Sequence, residues 1–156
     1  MDREFSCTKI FRFCCAHQLV NTSTEKCKSQ HGHSYKLEVT VACNFLINEM
    51  VIDFTILKNI VTPFIESVDH KMLSPNSNHV IFQEGNNGFY ENHIFPIIQP
   101  TAESIVEIAF NSISKQIEKF DEEETKFSGS MRRRTWLKRI KLWEEIDSAF
   151  VEIEAK

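Results

Sequence analysis

No apolar run in this chain of 156 residues nears the ~20 that a membrane-crossing helix needs, and Met1-Asp2-Arg3-Glu4 does not begin a secretory leader. The expected compartment is the cytosol (cytoplasmic), with no membrane partner. Positive charge is not in excess either. Against 22 Asp and Glu stand 18 Lys and Arg, a net of -4, so no broad basic surface points to a nucleic acid. Cysteines are too few and too irregular for a disulfide framework: the five, an odd number, argue for reduced thiols. What the chain does have is apolar bulk. With 42% hydrophobic residues and 13 Phe, residues 1–156 suffice for a single domain with a sizeable core.

The most informative segment is His31-Gly32-His33, at the mouth of Ser34 to Val41, which alternates like a half-buried strand. On a strand, residues i and i+2 project from one face, roughly 6.5 to 7 Å apart, so both imidazoles can reach one ion. An earlier strand-like segment, Phe5 to His17, puts Phe5, Cys7, Phe11, Phe13, Cys15 and His17 on one face. Antiparallel pairing through the loop 18–30 would bring His17 to His31 and His33. Three neutral nitrogens on a stiff scaffold suit Zn2+ and leave one coordination position open, as catalytic zinc sites do. Two other readings stand beside this one. The histidines could be strand-end residues satisfied by hydrogen bonds, or Cys15 could close a structural site as fourth ligand.

Further along, Asp53 reads as the N-cap of a helix carrying Phe54, Leu57, Ile60, Val61, Phe64, Ile65 and Val68, with Pro63 as the place for a kink or early stop. That helix closes at Val68-Asp69-His70-Lys71. Residues 74–99 read as an insertion containing a hairpin, with Val80-Ile81-Phe82 and Phe89-Tyr90 flanking Gly85-Asn86-Asn87-Gly88. Pro100-Thr101 starts a second helix carrying Ile105, Ile108, Ala109, Ile113, Ile117 and Phe120. The charged stretch from Asp121 to Arg134 reads as a solvated connector. Trp136 to Glu144 and Ser148 to Ala155 read as two last strands joined at Ile146-Asp147. The order β-β-α-α-β-β predicts an α+β layer: a four-stranded antiparallel sheet with two helices on one face, plus the inserted hairpin.

Six segments, taken in order, resemble a known family: Phe13-Cys14-Cys15-Ala16-His17, Cys27 to His33, Met50 to Phe54, Asp69-His70-Lys71, Pro100-Thr101-Ala102-Glu103 and Leu142-Trp143-Glu144. The similarity is to the 6-pyruvoyltetrahydropterin synthase / 6-carboxytetrahydropterin synthase family and spans nearly the whole chain. It implies the tunnelling fold, in which the sheets of several subunits join into a barrel. The homo-oligomer would be a hexamer with active sites between subunits. It implies a small-molecule substrate, a pterin triphosphate, and assigns His17, His31 and His33 as the ligands of Zn2+. Cys27 would be the catalytic base, and Asp69-His70 a couple in which the carboxylate fixes the imidazole tautomer so that the ring moves a proton. Glu144 would anchor the pterin, since a carboxylate accepts two parallel N–H groups of an aminopyrimidinone edge. Thr101 and Glu103 would be further substrate-binding residues, although both also suit a helix start with no ligand present.

Cys27 precedes His31 with three residues between, as in the carboxypterin enzymes. This favours conversion of 7,8-dihydroneopterin triphosphate to 6-carboxytetrahydropterin, acetaldehyde and triphosphate, on the way to queuosine and other deazapurines. The alternatives are triphosphate elimination to a 6-pyruvoyl product, and a zinc-containing oligomer that binds pterins or purines without turnover. Cys15 departs from the family's usual small residue, Glu145 from its usual Thr, and 74–99 from a brief connection.

Overall fold

Period-two alternation and helical stripes build the chain as a computed structural model that describes residues 3–75, 91–95, 99–128, 134–145 and 148–155. The elements are β1 (Phe5–His17), α1 (Glu25–Lys28), β2 (His31–Cys43), α2 (Phe54–Val68), β3 (Lys71–Pro75), β4 (Glu91–Phe95), α3 (Ala102–Ser128), β5 (Thr135–Glu145) and β6 (Ala149–Glu154). β1 and β2 pair antiparallel without a slip from Phe5↔Cys43 to His17↔His31. Their odd-numbered residues face the helices, and Phe13, Tyr35, Leu37, Val39 and Val41 are buried there. Leu57, Val61, Phe64 and Val68 of α2 join the same core, as do Ile105, Ala109, Ile113 and Ile117 of α3. Each Val, Leu, Ile or Phe among them contributes about 1.5–3 kcal/mol on burial.

Asp53 caps α2 as its position predicts: its carboxylate accepts the Thr55 N–H at 2.6 Å, which holds its pKa below the usual carboxylate range. Pro63 lies inside α2 on its exposed side and does not stop it.

Three expectations change. The sheet has six strands in the order β4-β3-β1-β2-β5-β6, rather than four antiparallel ones. β3 runs parallel to β1 (Ala16↔Met72, His17↔Leu73), and β4 runs parallel to β3. The reversal is local: His70 takes a φ of 57° just after α2, and its N–H donates to Cys14 O at 2.6 Å. That contact lays β3 along an edge of β1, where backbone groups pair without needing apolar alternation in so short a segment. The hairpin of residues 80–90 lies outside the described residues, but β3 and β4, which flank it, are parallel and so are not two arms of one hairpin. Finally, α3 runs on to Ser128, so Asp121 to Glu124 are helical rather than loop. Glu and Lys are good helix formers, and the Asp121 carboxylate accepts the Thr135 N–H at 2.6 Å, tying the helix to the start of β5. The turn at Ile146-Asp147 lies outside the described residues.

Candidate metal centre and active site

Because β1 and β2 pair to their ends, His17 faces His31 across the ladder, and His33 lies two residues further along on the same face. Ring centroids are 4.6 Å apart for His17 and His31, 5.1 Å for His17 and His33, and 4.9 Å for His31 and His33. One nitrogen from each ring lies within 4.8 Å of the others. The three predicted imidazoles therefore converge.

Their protonation follows from their partners. His17 Nδ1 is 2.8 Å from Pro100 O, and His31 Nδ1 is 2.8 Å from Ser29 O. A carbonyl only accepts, so both Nδ1 atoms carry the proton. His17, 2% exposed, has its pKa lowered chiefly by burial, which favours the neutral ring. Two neutral rings of this tautomer turn Nε2 lone pairs toward each other, and those atoms are 3.0 Å apart. A cation between them removes that repulsion. Tetrahedral Zn–N bonds of about 2.0–2.1 Å would hold neighbouring nitrogens roughly 3.3 Å apart, so the trio fits zinc. Cys15 is not part of this group among the described residues. Burial first, then nearby Cys14, Asp69 and Glu144, push its thiol up to about 12, as befits a buried core side chain.

Glu144, near the end of β5, reaches the same place. Its Oε1 is 3.8 Å from His17 Nε2 and 3.7 Å from His33 Nε2, and it accepts from the Tyr35 hydroxyl at 3.4 Å. Tyr35 is 1% exposed and stacks on Phe13 at 5.0 Å. Burial pushes its phenol above the usual range, so it remains a donor. Glu145 Oε1 lies 3.9 Å from His33 Nδ1. Thr101 starts α3, its hydroxyl accepting the Ser104 N–H at 3.3 Å, and Glu103 is exposed in the first turn. Thr101, Glu103 and Glu144 border one cleft of about 310 Å³ with Leu19 and Phe150. A larger cleft of about 810 Å³, bordered by Glu118, Asp121, Trp136 and Lys138, touches none of the predicted residues.

Cys27 sits half-buried on α1, four residues before His31. Asp69 and His70 do form a couple, His70 Nδ1 standing 2.9 Å from Asp69 Oδ2 while Asp69 Oδ1 accepts the Cys14 N–H at 2.8 Å. Among the described residues that couple makes no ion pair or ring contact with the imidazoles, although His33 lines the same cleft as His70. His70, its side chain 82% exposed, borders a cleft of about 500 Å³ that Cys14, Ala16 and Ser34 line from the even-numbered side of the strands, and Cys15 and His33 line it as well.

Residue-by-residue reading missed Tyr35, Gln18 and Gln99. Tyr35 was within reach of the strand period, two residues from His33. The two glutamines carry no periodic signal: Gln18 Nε2 donates to Lys28 O at 2.5 Å, and Gln99 Oε1 accepts the Val20 N–H at 2.9 Å.

Comparison with known proteins agrees with this geometry. The sequence profile of the 6-pyruvoyl tetrahydropterin synthase family matches residues 6–155. A 6-carboxy-5,6,7,8-tetrahydropterin synthase of Helicobacter pylori is 36% identical over 87 residues, 54% of this chain and 42% of the relative. That of Aquifex aeolicus is 35% identical over 98 residues, 60% of each chain. That of Haemophilus influenzae is 28% identical over 145 residues, 90% of this chain and 92% of the relative. The chain thus spans from 42% to 60% of the length of the first two. Among solved structures, a Plasmodium vivax 6-pyruvoyltetrahydropterin synthase shares the fold, with a TM-score of 0.67, 21% identity, and coverage of 99% and 100%. An uncharacterized protein from Wolinella succinogenes does so with a TM-score of 0.74, 17% identity, and 99% coverage of each chain. With the profile matched from the first paired strand to the last and the imidazoles meeting where β1 and β2 end, the chain belongs to the 6-pyruvoyl tetrahydropterin synthase family.

Proposed function

We propose that the chain is a zinc-dependent 6-carboxy-5,6,7,8-tetrahydropterin synthase. It converts 7,8-dihydroneopterin triphosphate to 6-carboxytetrahydropterin, acetaldehyde and triphosphate in the cytoplasm, on the route to queuosine. The observation that carries this reading is the convergence of three imidazoles beside the cleft of Glu144, Thr101 and Glu103. Bound Zn2+ would supply Lewis acidity toward side-chain oxygens and stabilise developing negative charge. The Glu144 carboxylate accepts the paired N–H groups of the pterin edge, in an orientation that the Tyr35 hydroxyl supports. The Cys27 thiolate takes a proton from a hydroxyl-bearing side-chain carbon. Asp69 holds the His70 proton on Nδ1, which leaves Nε2 to move a proton.

Within one chain, that couple makes no direct contact with the imidazoles among the described residues, and His70 is largely exposed. This supports a homo-oligomer, a hexamer by family resemblance, in which His70 serves a site of the neighbouring subunit. The relatives' names and the Cys27 spacing favour the carboxypterin product over the pyruvoyl one. Incubation with 7,8-dihydroneopterin triphosphate decides: acetaldehyde release is expected. Triphosphate without acetaldehyde means the pyruvoyl reaction, and neither product means a binding protein.

A further inference from the structure

We propose that Gln18 is a positioning residue for the Cys27 thiol, holding α1 against the strand end that carries His17. This rests on the reading of Cys27 as the reacting thiol. A helix of four residues forms too few internal hydrogen bonds to hold itself. Thr24, at its start, gives no side-chain capping bond, and no residue of α1 is buried. Its position is set from outside, at three successive carbonyls. Leu19 N–H donates to Cys27 O at 3.0 Å, Gln18 Nε2 to Lys28 O at 2.5 Å, and His31 Nδ1 to Ser29 O at 2.8 Å.

Those donors adjoin or belong to the imidazole trio, so the thiol's segment is referenced to the metal centre rather than left to its own loop. Gln99 extends the clamp: it pins Val20 N–H, and the next residue's carbonyl, Pro100 O, holds His17. The Oε1 of Gln18 is buried with no partner among the described residues, so the Lys28 carbonyl is the contact that orients the amide. Of the three donors, Gln18 is the side chain without a ligand role, and it can be changed while the metal ligands stay.

The test uses the zinc-loaded full chain. Gln18→Glu keeps the shape but turns a carboxylate oxygen toward the Lys28 carbonyl, whereas Gln18→Arg keeps an N–H donor. In Gln18→Glu, kcat should fall at least about tenfold, as misplacement of a reacting group does, with KM within about threefold and zinc at the wild-type ratio. The rate of Cys27 alkylation by iodoacetamide, followed on its own peptide from about pH 6 to 10, should change at least about threefold. Gln18→Arg should restore both. If Gln18→Glu does not fold, Gln18→Ala removes the donor without adding charge and is read the same way. A wild-type alkylation profile and kcat, equal losses in the Arg and Glu variants, or loss of zinc would each overturn the proposal. Turnover retained by Cys27→Ala would sink the thiol reading instead, while the alkylation profile, which needs no turnover, still reports whether Gln18 holds α1.

Discussion

His17 and Cys14 lie three residues apart on β1, yet the clusters built on them contrast sharply. The imidazole trio gathers at the junction of two strand ends, His17 buried and His31 and His33 partly exposed, with Glu144 of β5 and the Pro100 carbonyl against it. Asp69-His70 is assembled from neighbours in sequence at the end of α2, borrows only the Cys14 backbone, and faces outward. The first cluster is a property of the whole fold, and the second is a local turn with an exposed ring. The lesson is that one chain carries two titratable clusters of different make, and under the proposed function they would be two halves of sites shared between subunits.

The sharpest way to break this contrast is to delete one ring from each half. His31→Ala should lose bound zinc and all turnover, whereas His70→Ala should lose turnover and keep zinc at the wild-type ratio, read by metal analysis of purified protein. Zinc loss in His70→Ala would mean the two clusters are one.

Next in size is complementation. Cys27→Ala and His70→Ala should each be inactive. When the two are unfolded together, mixed and refolded, up to about a quarter of wild-type activity should return, because sites drawing one residue from each subunit are then intact by chance. No recovery in verified mixed oligomers would put both residues in one subunit's site.

A smaller effect concerns only the buried half. Burial lowers the pKa of His17 in the folded chain, so below about pH 6.5 the unfolded state binds more protons than the folded one. The stability of the metal-free chain should therefore fall as pH drops through that value toward the lowered folded pKa. Urea midpoints of wild type, His17→Gln and His70→Gln at about pH 7.5 and 5.5 measure this. A slope unchanged in His17→Gln would remove His17 as its source.

Smallest is Tyr35→Phe. Removing the hydroxyl that supports Glu144 should raise KM for the pterin a few-fold with kcat and zinc nearly unchanged, because the contact is long at 3.4 Å. An unchanged KM would leave Tyr35 as core packing alone.

Strand faces, helix stripes, the Asp53 cap and the meeting of His17, His31 and His33 were all determined by the sequence alone. The physical reason is that side-chain direction is a local property: period two on a strand and 3.6 on a helix assign each residue a face before anything packs. Only the tertiary structure decided that β3 and β4 run parallel beside β1, that α3 continues through its acidic turn, and that Tyr35 meets Glu144 at the imidazoles. It alone put the Pro100 and Ser29 carbonyls on the ring nitrogens and tied Asp69-His70 to the Cys14 backbone. Edge pairing and ring-to-carbonyl contacts join segments distant in sequence through generic backbone groups, which carry no residue signature, so they take form only when the whole sheet and its helices are packed.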